Sequence, residues 1–262
     1  MRIAFSIPAL LAAMTAVVSA QQPLNVGAVN FTEPATIVEV DTDRLKGQPS
    51  RLAWSPDGAE LYLQTLDGDF GRAGARTYHY TFDAANGRKK DLDAEPAWAS
   101  AYWTTKSAQA SPDGTGMKIT LKSETRTTNT VSTPMGGALA RGGTDPSVGA
   151  GASDGVSAAY NRQNLMVHSM VLNDEVLGEF VNSVIVPGLT FGWGPPGSKV
   201  IAYSTVKGGR VVVMDDKGVK KEVNDSRDAI LPAWSPDATR LAWLQRDGRK
   251  KFVLQVSRVA VP

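Results

Sequence analysis

The sequence of 262 residues has no cysteine and only two histidines, His79 and His168. Disulfides, thiolate metal sites and thiol nucleophiles are therefore excluded. A zinc centre or a Ser-His-Asp triad would have just those two imidazoles to draw on. Each lies in a strand-like stretch, Tyr78-His79-Tyr80 and Val167-His168-Ser169, and reads as a partly covered strand residue. Charge of one sign is also lacking: 28 basic residues are mixed with 26 acidic ones, a formal net +2. No concentrated field exists to attract phosphates or anionic lipid, so nucleic acid is not an expected partner. The pairs Lys89-Lys90 and Lys220-Lys221 stand beside acidic residues and read as solvated strand or loop. No phosphate-cradling Gly-Lys-Ser/Thr loop occurs, and no Gly-x-Gly-x-x-Gly sits between a strand and a helix. Asp67-Gly68-Asp69-Phe70-Gly71 lacks the length and terminal glutamate of an EF-hand loop and reads as a turn. No metal and no cofactor is expected, and no catalytic residue is identified.

Long apolar runs are confined to the first twenty residues. Arg2 precedes an apolar stretch from Ile3 to Val18, and Val18-Ser19-Ala20 supplies small residues for cleavage, the pattern of an export signal. Residues 1–20 are thus expected to be removed, leaving a single domain over 21–262, periplasmic or secreted. No later run approaches the eighteen residues of a membrane span. No cysteine follows the cleavage point to carry a lipid, so the product is expected to be soluble, without stable membrane insertion, and monomeric.

What the remainder does contain is a repeat. Trp54-Ser55-Pro56-Asp57-Gly58 and Trp234-Ser235-Pro236-Asp237-Ala238 are near copies, each followed by an alternating apolar stretch, Leu61-Tyr62-Leu63 and Leu241-Ala242-Trp243. Ser111-Pro112-Asp113-Gly114 is a third copy, ahead of Met117 to Leu121. Trp193-Gly194-Pro195-Pro196-Gly197 is a fourth, with Pro196 where the aspartate belongs. Ser153-Asp154-Gly155, without a proline, would be a fifth. The aspartate position falls at 57, 113, 154, 196 and 237, so a period near forty-one residues is interrupted once. Pro96-Ala97-Trp98 matches Pro232-Ala233-Trp234, which places an insertion at about 99–109 that carries Tyr102 and Trp103.

In the turn, proline fixes φ, aspartate bonds the backbone ahead of it, and glycine accepts positive φ. The motif joins a short strand ending in tryptophan to a second strand; further apolar runs give a third, and a polar outer strand ends the unit. Four strands in about forty residues is the period of a propeller blade. Both faces of each sheet must be covered, so Trp54, Trp193 and Trp234 are expected between sheets. The expected fold is an all-β propeller of five four-stranded antiparallel blades, with six as the alternative. Thr36-Ile37-Val38-Glu39-Val40 is expected to close the last blade as a strand borrowed from the N-terminus.

The Trp-Ser-Pro-Asp-Gly turn at 54–58, with its copies, resembles the WD-like β-propeller repeat of the TolB type over nearly all of the mature chain. The resemblance implies a periplasmic or secreted propeller used for protein interaction. The expected function is accordingly a non-catalytic envelope module that binds a protein or peptide. Tyr102 and Trp103 are the expected contact residues, since aromatics on an insertion can anchor an interface. Two alternatives stand beside it: an enzyme, hydrolase or lyase, using strand-end carboxylates such as Asp228 and Glu95 in a central channel, and a saccharide-binding module. The seven glycines between Gly136 and Gly155 read as a projecting loop over about 135–155.

Overall fold

A computed structural model describes residues 22–68, 74–128, 163–181, 190–206, 208–248 and 250–260. The expected export segment 1–20, the expected loop 135–155 and the weak copy Ser153-Asp154-Gly155 lie outside those residues. In chain order come β1 (Asn30–Phe31), β2 (Ala35–Asp41), β3 (Gln48–Trp54), β4 (Glu60–Asp67), β5 (Arg76–Asp83) and β6 (Lys89–Leu92). A helix follows, α1 (Ala97–Lys106), then β7 (Thr120–Thr128), β8 (Gln163–Leu172) and β9 (Glu175–Val181). The last two repeats supply β10 (Phe191–Trp193), β11 (Val200–Ser204), β12 (Val211–Asp215), β13 (Lys220–Glu222), β14 (Ala229–Trp234), β15 (Arg240–Arg246) and β16 (Lys251–Ala260).

All strand pairs are antiparallel, and the described residues form four sheets: β3-β4-β5-β6, β7-β8-β9, β10-β11-β12-β13, and β14-β15-β16 completed by β1 and β2. The N-terminal segment acts as expected: β2 runs beside β16 with Val38 opposite Leu254 and Val40 opposite Phe252. Pairing of distant chain ends in one sheet gives the last repeat its outer strand. The expected count of five units meets four sheets here.

Two copies of the turn are built alike. The Asp57 carboxylate accepts from Ser55 Oγ (2.6 Å) and Ala59 N (3.0 Å), while Ser55 Oγ accepts from Glu60 N (2.8 Å). Asp237 accepts from Ser235 Oγ and Thr239 N, and Arg240 N donates to Ser235 Oγ. These bonds hold both carboxyls below the usual aspartate range. The fourth turn position has φ 68° at Gly58 and 54° at Ala238, a region where a side chain is strained.

The fourth copy takes a carboxylate from the third. Pro196 occupies the aspartate position of the fourth turn, and Asp113, from the neighbouring sheet, accepts from Gly197 N (2.9 Å) and Lys199 N (3.0 Å). The turn that lacks its aspartate is thus held by a carboxylate of the repeat before, on N–H groups other than the one that Asp57 and Asp237 bind in theirs, and the two sheets are tied at that point.

Both faces of the inner strands are covered: every residue of β11, β12 and β14 is buried. Ile201 and Tyr203 point into one apolar cluster, Val200 and Ala202 into another. Sheet packs on sheet through β3 with β14, β14 with β10 and β11, and β9 with β11. The repeat tryptophans Trp54, Trp193 and Trp234 are all at most 1% exposed. Trp54 Nε1 donates to Ala233 O (2.9 Å) and Trp193 Nε1 to Ala108 O (2.6 Å), each reaching the preceding sheet's inner segment. Arg240 stacks on Trp54 at 4.3 Å and donates to Gly58 O, locking the first sheet to the last. Where β10 meets β14, a Cβ on Gly192 would stand 2.5 Å from Pro232 O, so only glycine allows that approach.

Candidate functional site

The insertion expected at about 99–109 is the helix α1. Its start is Pro96, whose carbonyl accepts from Ala99 N and Ser100 N. Proline suits a helix entry, and Ala97, Ala99 and Ala101 carry the highest helix propensity. Trp98 therefore sits in a helix, in contrast to the strand-terminal tryptophan that its match with Trp234 suggested. Ten residues make fewer than three turns, and a stretch this short with aromatics around it shows little periodicity.

The helix lies against β3 and β10. Ala99 packs with Ala53 and Tyr62 on one face of the first sheet, flanked by Trp98 and Tyr102. At the far side, Tyr102 Oη donates to Trp234 O (2.8 Å) and Lys106 Nζ to Gly194 O. Two of the inner strands are thus gripped just at their tryptophan ends. The Tyr102 phenol is pushed well above its ordinary value by burial. The Lys106 amine, 8% exposed, is pushed down to about 8 by burial, which the charge of Asp113 partly opposes.

Sequence reasoning placed Tyr102 and Trp103 together as contact residues. Both are half-buried, yet their tasks differ. Tyr102 spends its hydroxyl on Trp234 and holds the helix. Trp103 lies under the Arg51 guanidinium, 4.8 Å from its ring centre, and Arg51 Nη1 donates to both oxygens of Glu95 (3.1 and 3.3 Å).

Beside this pair is a group that the sequence did not reveal. Arg51, Gln64, His79 and Leu92 stand opposite one another across β3 to β6, and Ala53, Tyr62 and Thr81, two positions on, form the next row of the same face. Tyr62 Oη is 2.7 Å from His79 Nδ1, their rings are stacked, and Trp98 meets Tyr62 edge-on at 6.0 Å. Burial pushes the Tyr62 phenol up and the His79 imidazole down, so this pair is uncharged near neutrality. Only the register of four strands brings these positions together, and no local motif announces it. The patch combines a cation, a carboxylate, a neutral imidazole and half-exposed indoles, a set able to hold a polypeptide by stacking and charge.

The strand-end acids of the catalytic alternative have separate surroundings: Glu95 is paired with Arg51, while Asp228 N donates to Gly208 O. His168 is bonded through Nδ1 to Ser123 Oγ at 2.8 Å. Elsewhere a cleft of about 440 Å³ is lined by Glu33, Arg210, Glu222, Asp225, Arg227 and Gln245, among others. Hydrogen bonding and repulsion from Asp225 raise the Glu33 carboxyl there. Among the described residues, no group of three or more His, Cys, Asp or Glu side chains could hold a metal, and no helix is long and apolar enough to cross a membrane.

No protein-family model matches this sequence, and no curated protein matches it. Solved structures do align. Sqt1 of Chaetomium thermophilum is 15% identical over 82% of this chain and 45% of its own, with a TM-score of 0.21. An oligogalacturonate lyase in complex with manganese is 11% identical over 80% of this chain and 64% of its own, with a TM-score of 0.22. The chain spans less than two thirds of either protein, and at such TM-scores no property of theirs transfers to it.

Proposed function

We propose that this chain is an exported β-propeller-type repeat protein that binds a protein or peptide in the cell envelope through the surface around α1. The sheets act as a rigid frame, with β2 closing the last of them. The observation that carries the reading is Trp103, half-exposed beneath Arg51 while Arg51 is held by Glu95. Tryptophan and arginine are the residue types that most often anchor interfaces, and here the frame presets their geometry, which lowers the entropy lost on binding. Export is read from residues 1–20 and the envelope partner from export; neither depends on the patch.

The test uses the mature chain to capture and identify a partner from an envelope extract, followed by titration of the purified partner. Trp103→Ala and Arg51→Ala are each expected to weaken that binding by tenfold or more while leaving thermal unfolding within a few degrees of the parent. A partner bound equally well by both variants rules out this surface.

A second reading has one observation in its favour, the Tyr62–His79 pair beside Glu95 and Arg51. A neutral imidazole bonded to a phenol can move a proton, as a propeller hydrolase or lyase would require. Turnover of a polysaccharide or peptide that disappears in His79→Asn, with binding kept, would select this reading over the first.

A further inference from the structure

In the first, third and fourth sheets an innermost strand is paired with the second: β3 with β4, β10 with β11, β14 with β15. The second sheet departs from this rule. Only four residues separate α1, which ends at Lys106, from this sheet's Ser111-Pro112-Asp113-Gly114 turn, and pairing is reduced to the bridge Ala110↔Lys118 with two bonds beside it, Ser111 N to Met117 O and Ile119 N to Gln109 O. β7 is therefore an edge strand. Among the described residues its backbone makes no strand pairing on the side away from β8.

Among the described residues the edge is open to solvent over 120–125. Residues 120–125 are all exposed, and Leu121, at 49%, is one of two exposed large hydrophobics among the described residues. The equivalent strands β4 and β11 are almost wholly buried. β7 runs for nine residues without proline or register shift against β8, a length of roughly 30 Å. An uninterrupted edge of this kind is a template for another chain.

We infer that β7 is a docking edge for an extended segment of a partner polypeptide, which adds antiparallel to it in the inner-strand place that α1 has vacated. Side chains beside the edge set the chemistry of that segment. Lys122 calls for an acidic residue opposite it, and Leu121 for an apolar residue at the next position, within a stretch of β-forming residues. A second folded copy pairing edge to edge would bury roughly 600 Å² in all, for a contact about 30 Å long and 10 Å wide on each side. That is about half of what a stable interface between two folded bodies needs, which counts against a second copy, whereas an extended segment draws its affinity from main-chain pairing along the edge and its selectivity from alternate side chains. The edge shares with the α1 surface its dependence on the helix but owes nothing to the Trp103 side chain, so binding at the two is told apart by Trp103→Ala.

The test uses a fluorescein-labelled, capped nonapeptide of alternating threonine and valine with a central glutamate, and the mature chain. Expected are a saturable rise in anisotropy and slowed amide exchange within 120–128, with no change in the outer strand β13. Lys122→Glu is expected to weaken binding at least tenfold, a lysine-centred peptide to restore it, and Trp103→Ala to leave it unaltered. Unchanged exchange at 120–128 with millimolar peptide overturns the inference, as does binding indifferent to Lys122→Glu. Sedimentation showing a dimer that Lys122→Glu dissociates also overturns it, by assigning the edge to a second copy. Leu121→Asp, a surface change with a native melting profile, is expected to weaken the same binding; if it does not, the apolar anchor is refuted.

Discussion

Removing the Asp113 carboxylate tests the way a degraded repeat is repaired by its neighbour. In Asp113→Ala the N–H groups of Gly197 and Lys199 lose acceptors at 2.9 and 3.0 Å. A hydrogen bond to a charged acceptor contributes about 1.5–3 kcal/mol. Asp113 is half-buried, so water replaces part of what is lost, and a total near 3 kcal/mol is expected for the two bonds. For a domain of this size that corresponds to a fall in melting temperature of roughly 6–12 °C, read by circular dichroism and by the urea midpoint. The decisive step is the conservative change. Asp113→Asn keeps one acceptor oxygen and should recover part of the loss, whereas Pro196→Asp in the Asp113→Ala background should recover little, because a carboxylate in the place of Asp57 and Asp237 meets the N–H two residues on, which in the fourth turn is that of Ser198, already bonded to Pro195 O. A cost below about 0.5 kcal/mol for Asp113→Ala would refute the tie between the two repeats.

Stability should also rise with pH through a defined window. Lys106 is held at about 8 against an ordinary 10.5, so between those values the unfolded chain binds more protons than the folded one and raising pH favours folding. The full effect is about 3 kcal/mol; Lys106→Met should abolish the rise in urea midpoint between pH 7.5 and 9.5. Above pH 10 the trend reverses, because burial raises the phenols of Tyr62, Tyr102 and Tyr203 and only the unfolded chain ionises them. The absence of cysteine allows a clean trap of the closing strand: Thr36 and Gln255 are paired across β2 and β16, and their double cysteine variant should form an intramolecular disulfide under mild oxidation. A dimer-only product would contradict that register.

Much of the fold was legible because its signals are local. The turn residues at 54–58 and 234–238 carry their own hydrogen bonds, the alternation after them marks the second strands, and Thr36 to Val40 declared an outer strand in need of a sheet. Two expectations met a different outcome for reasons of context. Trp98 follows Pro-Ala as Trp234 does, yet the alanines after it favour a helix. The count of five units meets four sheets among the described residues, because a period counts residues and says nothing of which strands pair. The site was legible only in part: Tyr102 and Trp103 were picked out by their insertion, whereas Arg51, Tyr62, His79 and Glu95 converge through strand register, which no single segment encodes. That Tyr102 is bound to Trp234 O while Trp103 faces Arg51 depends on which side of α1 each occupies.

The departure of α1 from the repeat underlies both the aromatic patch and the open edge of β7, and backbone NMR of residues 21–262 tests it directly. Residues 97–106 should give helical Cα shifts and sequential amide–amide contacts, with no cross-strand contacts between 104–109 and 120–126. Extended shifts at 97–106, with Hα–Hα contacts from 104–109 to β7, would mean that the second sheet has an ordinary inner strand, and both surfaces would be lost.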